Sequence, residues 1–305
     1  MKYIFFGTPQ FASIILEKLI NAGLVPAAVV TNPDRPAGRK KILTASAVKN
    51  LIFKKIEIFQ PEKLDDRFIG DIKRIKAEVG VLVAYGKIVP QEVMNVFSKG
   101  IIVVHPSLLP KYRGATPIQN AILNGDEETG ITLFLMDEKI DHGKIISKSR
   151  LSIFNDDTYE TLSKKLADLS ADLLIKVLPD YSAGKVQLQS QNDSEAAYTK
   201  KFTSEDGFVD PIDLKEALEK KRPSVAPIGA MEGKAEIIWR KVRALNPEPG
   251  VWTWACIKMG QPSFASQCEA SEGRRRMKIL EADLINGNLN LKKVQFEGEK
   301  PRSVA

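Results

Sequence analysis

The sequence predicts a doubly wound α/β domain, built on a parallel sheet, followed by a smaller and mostly β second domain. Residues 3–31 alternate strand, helix and strand, which is the unit from which parallel sheets are built. Residues 79–84 and 101–104 are almost continuously apolar, as strands are when helices cover both faces of their sheet. Near the end of the chain, three segments alternate apolar and polar residues as half-buried strands do, namely 251–259, 277–282 and 289–296.

Local patterns predict the elements of the first domain. Tyr3–Phe6 is an aromatic and β-branched run that ends at a glycine and a proline, and it therefore predicts a buried first strand. Apolar residues from Phe11 to Ile20 recur at helical spacing, and Ala27–Thr31 then predicts the second strand. Later elements are expected as helices at 64–77 and 90–98, a strand at Ile131–Met136, and a helix that begins with a capping box at Asp157 and ends at Pro179.

The second domain follows a polar stretch, Gln189–Glu195, whose composition is typical of a linker. A chain of 305 residues is also too long for one ordinary core. We therefore predict a first domain at 1–189, a linker at 190–206 and a second domain at 207–305. Within the second domain we expect helices at 215–221 and 234–244, a loop at 222–229, and a turn at Asn286-Gly287 between two strands.

Composition indicates an ordinary globular protein, with 43% hydrophobic and 27% charged residues. The sequence has neither a long apolar membrane span nor the pattern of a signal peptide at residues 1–7, so we expect a cytoplasmic protein without a membrane partner. Two cysteines and two histidines offer few ligands for a metal, and none is expected. The net charge of +7 favours a polyanionic partner such as RNA.

The expected site lies at the carboxyl ends of the parallel strands, where sheets of this type bind ligands. His105 directly follows the strand at 101–104 and precedes a proline-stiffened loop, and histidine is suited to proton transfer near neutral pH. Asp141 follows another apolar strand, and a carboxylate beside a histidine can fix its tautomer and raise its basicity. The spacing also fits an aspartate that caps the turn before Gly143, so both interpretations of Asp141 stay open.

Several motifs distributed along the chain are similar to those of one family. They are Tyr3–Ala12, Thr31–Arg39, His105–Gln119, Asn124–Gly130, Met136–Gly143, Glu205–Gly207 and Arg243–Gly250. Together they resemble the methionyl-tRNA formyltransferases, and the resemblance covers residues 1 to 254.

The resemblance implies direct transfer of a formyl group from 10-formyltetrahydrofolate to the amino group of methionyl-initiator tRNA, a step of translation initiation. It implies neither a metal nor a covalent enzyme intermediate. The family uses an asparagine, a histidine and an aspartate, and His105 and Asp141 match the last two. The remaining matches are Ser107, Leu108, Leu109 and Pro110 in the stretch that lines the folate, Tyr85 and Gly86 beside its pterin ring, and Arg39, Lys40 and Lys41 in a basic loop that meets the tRNA acceptor end. The second domain would be an OB-like barrel that contacts the tRNA, and we expect a monomer that does not bind DNA.

Two features depart from the family pattern. The family's catalytic asparagine lies two residues before the histidine, where this chain has Val103, and valine has no donor for a developing oxyanion. Gln119 and Asn120 are the nearest side-chain amides in the sequence that could replace it. The resemblance also thins after Trp254, and a segment around 220–234 looks inserted. The sequence up to Ala305 is shorter than the family's closed barrel usually requires, so we expect the barrel to be incomplete.

Three alternative functions share some of these features. Another folate-dependent formyltransferase, acting on an amino-sugar nucleotide or a glycinamide ribonucleotide, would share the first domain but lack the segments Arg35–Arg39 and Ala244–Pro247. A catalytically impaired homologue would bind folate or tRNA without turnover, which is the alternative that Val103 favours. A Rossmann-type dehydrogenase is disfavoured because Gly7-Thr8-Pro9 stands where a GxGxxG fingerprint would be.

Overall fold

The computed structural model describes residues 1–37, 41–52, 56–219, 233–258, 261–264 and 275–304. The chain divides into two compact units. The first comprises Met1–Pro117, Glu128–Ser152 and Glu160–Thr199, and the second comprises Ile118–Glu127, Ile153–Tyr159 and Lys200–Ala305. Residues 190–199 of the predicted linker thus belong to the first unit, and the domain boundaries given above stay a prediction.

The first unit is built from strands and helices in alternation. Its strands are β1 (Tyr3–Gly7), β2 (Ala28–Val30), β3 (Arg35–Ala37), β4 (Ile42–Thr44), β5 (Glu57–Phe59), β6 (Val79–Val83), β7 (Ile101–His105), β8 (Arg113–Gly114), β9 (Glu128–Leu135), β10 (Ile145–Ser152) and β11 (Tyr198–Thr199). The helices between residues 1 and 199 are α1 (Gln10–Asn21), α2 (Ala47–Leu51), α3 (Asp66–Lys73), α4 (Gln91–Met94), α5 (Pro117–Leu123) and α6 (Tyr159–Ser182). All of α5 after Pro117 belongs to the second unit.

Seven strands form the central sheet, in the order β10-β9-β7-β6-β1-β2-β5. The strands β5, β2, β1, β6 and β7 are parallel, and β9 and β10 are antiparallel at one edge. The predicted parallel sheet is confirmed, and β10 is an addition to it. The chain builds outward from β1 on one side and then from β6 on the other, so the topological switch point, where such sheets bind ligands, lies between β1 and β6.

Apolar side chains account for the core of this sheet. All five residues of β1 are buried. Ile4 and Phe6, which alternation places on one face, pack in a cluster with Phe68 and Ile72 of α3. Burial of whole apolar side chains of this size stabilises a fold by about 1.5–3 kcal/mol each, before the conformational entropy cost of ordering them is subtracted. The core thereby holds rigid the strand ends that carry the candidate site.

Helix α6 extends further than the sequence predicts, because it continues through Pro179 to Ser182. A proline inside a helix removes its own N–H donor, and here that loss falls within the last turn. The turn is held by other bonds: the hydroxyl of Tyr181 donates to the carbonyl of Lys99 at 2.5 Å, and the amide of Ala183 donates to the carbonyl of Pro179 at 3.0 Å. The prediction that the helix ends at Pro179 was therefore wrong.

The second unit contains two helices and an antiparallel sheet. Its elements are α7 (Pro211–Leu218), α8 (Lys234–Leu245), β12 (Val251–Lys258), β13 (Gln261–Phe264), β14 (Arg275–Ile285), β15 (Asn288–Phe296) and β16 (Arg302–Ser303). Helix α7 begins earlier than predicted, because Asp210 caps it and Pro211 fits its first position. The predicted loop at 222–229 lies outside the described residues.

The sheet of the second unit has the strand order β13-β12-β14-β15-β16. Asn286 and Gly287 have positive φ angles of 51° and 77°, which is the backbone that a two-residue hairpin requires, so the predicted turn is confirmed. Within the described part of the chain, β13 and β16 form the edges of this sheet, and closure into a barrel stays a prediction. No helix among the described residues is long and apolar enough to cross a membrane.

Candidate active site

Three loops meet at the switch point of the central sheet. The hydroxyl of Thr8, after β1, lies 3.4 Å from the carbonyl oxygen of Tyr85, which follows β6, and accepts from the amide of Asn32, after β2, at 3.3 Å. The side-chain amide of Asn32 also donates to the carbonyl of Tyr85 at 3.0 Å. These bonds fix the carboxyl ends of β1, β2 and β6 relative to one another, beside β7 and His105.

His105 is the last residue of β7, and its side chain is buried, with 5% of the residue exposed. Its Nε2 lies 2.9 Å from the carbonyl oxygen of Tyr112. Because a carbonyl can only accept, Nε2 carries the hydrogen, and Nδ1 of the neutral ring keeps its lone pair. That Nδ1 faces Oδ2 of Asp141 at 3.6 Å, which is too long for a hydrogen bond but close enough for charge attraction once the ring is protonated.

The protonation of His105 is governed first by its burial. Burial lowers the pKa of His105 below its usual value, while the charge of Asp141 and the hydrogen bond to Tyr112 act in the opposite direction. The balance favours the neutral ring at pH 7. His105 is therefore able to accept a proton at Nδ1, and the cation formed would lie beside a carboxylate.

Asp141 occupies the loop between β9 and β10 in an uncommon conformation, with a φ of 48°. Its Oδ2 accepts a hydrogen bond from the amide of Gly114 at 2.7 Å, 27 residues away in sequence. This carboxylate bond reaches another loop rather than the turn of Asp141 itself. Two residues later, a side chain at Gly143 would place its Cβ 1.7 Å from the carbonyl oxygen of Leu135, so this turn admits only glycine at that position.

The loop after His105 is tied down by Thr132 of β9. The register of the antiparallel pair sets Thr132 directly opposite His105. Its hydroxyl donates to the carbonyl of Ser107 at 2.7 Å and accepts from the amide of Leu109 at 3.0 Å. The hydroxyl of Ser107 donates to the carbonyl of Lys111 at 2.6 Å. These bonds hold the predicted folate-lining stretch, with a cis peptide bond before Pro110, in one conformation.

Leu108 and Leu109 differ in their surroundings. Leu109 is fully buried, and its carbonyl accepts a hydrogen bond from Lys148 of β10. Leu108 packs over Gly130, where a Cβ would approach its Cδ2 to 2.6 Å and the carbonyl oxygen of Ser149 to 2.2 Å. The small residue in β9 therefore makes room for the folate-lining stretch.

The Tyr85-Gly86 loop has features that suit a heterocyclic ligand. Tyr85 is buried and its hydroxyl has no hydrogen-bond partner in the described structure, and the same holds for Oδ1 of Asn32. Gly86 has a φ of 83°, and a Cβ there would meet only the amide of Asn32, at 3.9 Å. The unpaired oxygen of Asn32 beside open backbone fits a ring that carries its own donors and acceptors, as a pterin does.

Val103 lies two residues before His105 on the same face of β7, with 6% of the residue exposed. It is paired in register with Leu82 and Phe134 of the neighbouring strands. Leu109 belongs to the same apolar cluster. The structure thus places an apolar side chain where the family resemblance leads us to expect an asparagine.

The predicted tRNA-contacting residues are described only in part. Arg39 and Lys40 lie outside the described residues. Lys41 is exposed, between β3 and β4. Gln119 and Asn120, the amides that could have replaced the missing donor, lie on the part of α5 that belongs to the second unit.

Several residues of the site were missed in the sequence. They are Tyr112 and Gly114, which bond His105 and Asp141 through their backbones, Thr132, which organises the loop, and Gln191, whose amide donates to the carbonyls of Asp141 and Gly143. Only Thr132 had a usable signal, because an alternating strand that pairs with β7 would place a polar residue beside His105. No group of three metal-binding side chains occurs among the described residues.

Comparison with known proteins places this geometry in a family. Residues 1–178 match the family model described as formyl transferase. A methionyl-tRNA formyltransferase from Dictyoglomus turgidum is 37% identical over 295 residues, which is 95% of this chain and 84% of that protein.

Two solved structures share the fold. A methionyl-tRNA formyltransferase from Clostridium thermocellum is 17% identical, with a TM-score of 0.55, and the match covers 97% of this chain and 98% of that one. HypX from Aquifex aeolicus, solved in complex with tetrahydrofolic acid, is 13% identical, with a TM-score of 0.62, and the match covers all of this chain and 46% of that one. Since the family model spans more than half of the sequence and the Dictyoglomus relative nearly all of it, this chain belongs to the methionyl-tRNA formyltransferase family of formyl transferases.

Proposed function

We propose that this protein transfers a formyl group from 10-formyltetrahydrofolate to the amino group of methionine on initiator tRNA. The observation that carries the proposal is the pair formed by His105, buried at the end of β7, and the half-buried Asp141, whose Oδ2 lies 3.6 Å from Nδ1 of His105. Family membership supports the formyl-transfer reaction, and the similarity to methionyl-tRNA formyltransferases along 95% of the chain favours the tRNA substrate over an amino sugar or a ribonucleotide.

In this proposal His105 is the general base. An amine that attacks a carbonyl must lose a proton, and Nδ1 of His105 is the ring nitrogen that is free to take it. The resulting imidazolium then donates through both nitrogens, to the carbonyl of Tyr112 and toward Asp141. The tetrahedral adduct would collapse by breaking the bond between the formyl carbon and the folate nitrogen, and that nitrogen would leave with the proton that His105 returns. Asp141 stabilises that cation, and its own position is fixed by the amide of Gly114.

The folate would supply the formyl group, and the loops beside His105 would hold it. We assign this role to Ser107, Leu108, Leu109 and Pro110 and to Tyr85 and Gly86. The rigidity of the first stretch, which Thr132 imposes, and the unpaired oxygen of Asn32 near the second support the assignment. A preformed site of this kind loses little conformational entropy when its ligand binds.

Val103 sets the expected speed of the reaction. Charge that develops on the formyl oxygen would meet a methyl group at this position instead of an amide donor. One missing donor of this type costs about a hundred- to a thousand-fold in rate. We therefore propose a slow enzyme rather than a binding protein, because the base and its carboxylate are both in place.

The tRNA would be contacted by the basic loop of Arg39, Lys40 and Lys41 and by the second unit. The net charge of +7 supports a polyanionic substrate, and contacts of this kind weaken as salt rises. We further propose that the protein works in the cytoplasm as a monomer and does not bind DNA.

The proposal is tested by incubating the protein with 10-formyltetrahydrofolate and methionyl-initiator tRNA and measuring formylmethionyl-tRNA. Product should form slowly, in proportion to enzyme, and should disappear with His105→Ala. A parallel reaction with an amino-sugar nucleotide as acceptor should yield none. Absence of formylmethionyl-tRNA at high enzyme concentration, from a protein that still binds a folate, would favour the binding-protein alternative and overturn the proposal.

A further inference from the structure

Residues 191–199, which belong to the predicted linker, pack along the second half of the active-site loop. Strand β11 pairs in parallel with β8, with Tyr198 opposite Arg113 and Thr199 opposite Gly114. The amide of Arg113 donates to the carbonyl of Ala197 at 2.8 Å. Gly114 is also the residue whose amide holds the carboxylate of Asp141. The segment is therefore paired, through β11 and β8, with the residues that hold Asp141.

Gln191 uses every polar atom of its side chain in this arrangement. Its Nε2 donates to the carbonyl oxygens of Asp141 and Gly143, both at 2.9 Å. Its Oε1 accepts from Nε and Nη2 of Arg113, at 3.1 and 2.8 Å. The orientation of the amide is fixed, because carbonyls only accept and a guanidinium only donates. Gln191 thus holds the turn of Asp141 by two hydrogen bonds.

Arg113 anchors Gln191 from the other side. Only 1% of Arg113 is exposed, although Asp193 and Tyr198, which cover it, lie at the surface. Its guanidinium donates to Oδ1 of Asp193 at 2.8 Å and to the hydroxyl of Tyr198 at 3.0 Å. A buried guanidinium is tolerated only with such partners, so breaking them would disrupt the position of Gln191 as well.

The hydrogen bond from Gln191 acts on the backbone of Asp141, which has an uncommon conformation. A φ of 48° is sparsely populated for a residue with a side chain, and it persists only where surrounding bonds enforce it. The direction of the Asp141 carboxylate, toward Gly114 and His105, depends on that backbone. The carbonyl of Asp141 is in turn bonded by Gln191.

We infer that Gln191 and Arg113 are positioning residues of this active site, which hold Asp141 in the conformation that sets its carboxylate against His105. The inference rests on the proposed function and deepens it. It assigns a role in the reaction to a segment that reads in the sequence as a polar connection.

The test is a double-mutant cycle on the formyl-transfer rate. Gln191→Glu keeps the size of the side chain and an acceptor for Arg113, but it replaces both N–H donors with an oxygen that repels the carbonyls. We expect kcat to fall by about ten- to a hundred-fold, as for a small misplacement of a catalytic group, with KM for both substrates little changed. In the Asp141→Asn background the same substitution should cause no further loss, because no carboxylate remains to be positioned.

Asn192→Ala is the matched control, since the side chain of Asn192 bonds only Ser194 and Glu195 within its own turn. It should leave kcat unchanged. An equal loss from Gln191→Glu in both backgrounds would show a general structural role, and an unchanged kcat in the single variant would show none. Either result overturns the inference.

A readout that needs no turnover separates this inference from the proposed function. The amide proton of Gly114 reports its 2.7 Å bond to Asp141 by its chemical shift and its exchange rate. Gln191→Glu should move that resonance and speed its exchange, whereas Asn192→Ala should do neither. If the wild-type protein forms no product, the proposed function fails, and the Gly114 amide still decides the positioning role, because an unmoved resonance would refute it.

Discussion

Val103→Asn is predicted to make this protein a faster enzyme and a less stable one. The side chain at position 103 lies on the same face of β7 as His105, and only 6% of the residue is exposed. An asparagine there would direct an amide donor toward the place where charge develops on the formyl oxygen. A single donor of this kind typically changes kcat by about a hundred- to a thousand-fold, and we expect an increase of at least tenfold.

The cost of this substitution follows from its surroundings. Leu82, Leu109 and Phe134 pack around Val103, so the new amide would have few partners in the free enzyme. A buried polar group without its hydrogen bonds destabilises a fold by about 1–3 kcal/mol. The thermal midpoint should therefore fall by several degrees, since each kcal/mol shifts it by roughly 2–4 °C in a domain of this size.

The assay compares kcat of the wild type, Val103→Asn and Val103→Leu under saturating substrates. Leucine has the same number and branching of side-chain heavy atoms as asparagine but no donor, so Val103→Leu controls for the branched shape. The reasoning is refuted if the asparagine and leucine variants have the same rate while both remain folded. That result would mean that another group already stabilises the oxyanion.

Three further outcomes are expected. Because burial lowers the pKa of His105 below 6.5, protonation of this base should lower kcat under saturating substrates only below pH 6.5 and leave it level above that pH. The stability of the fold should also decline as the pH falls from 6.5 toward the folded-state pKa of His105, because the unfolded chain is protonated first. A kcat that declines as the pH rises above 6.5 would contradict this behaviour of His105. Asp141→Asn should lower kcat by about a hundred-fold or more and lower the pKa of His105 further, which an NMR titration of the His105 ring can follow. Gly143→Ala should destabilise the fold by about 1–3 kcal/mol or more, because its Cβ would overlap Leu135, whereas Gly70→Ala, with open space around it, should gain about 0.5 kcal/mol in a melting experiment.

The sequence was sufficient for features that depend on neighbouring residues. The apolar run before His105 predicts a buried strand, and the end of such a strand is where a sheet of this type places its site. The pairing of His105 with Asp141 was beyond the same reasoning, since a turn-capping aspartate has the same spacing. The role of Gln191 was even harder to predict, because the carbonyl groups that it bonds lie 48 and 50 residues away. A polar residue within a polar stretch indicates only solvent exposure.

The same physical limit applies to the proline in α6 and to the loop after His105. A proline usually ends a helix, yet here the hydrogen bond from Tyr181 to Lys99 holds the last turn of α6 beyond Pro179. No pattern of neighbouring residues predicts that contact. The rigidity of the loop comes from Thr132, whose role depends on the register between β7 and β9. The resemblance to a family predicted that this loop lines the folate, but only the folded structure shows that Thr132 holds it in place.

The pairing of β11 with β8 has a consequence for the order in which the protein becomes competent during synthesis. Domains fold from the N-terminus as the chain emerges from the ribosome. His105 and Asp141 emerge well before Gln191, so a nascent chain can complete the central sheet while the loop of Asp141 is still without its two bonds from Gln191. A fragment cut at residue 189 would lack these bonds permanently, whereas one cut after Thr199 would contain every residue that bonds Gln191 and Arg113 in the site.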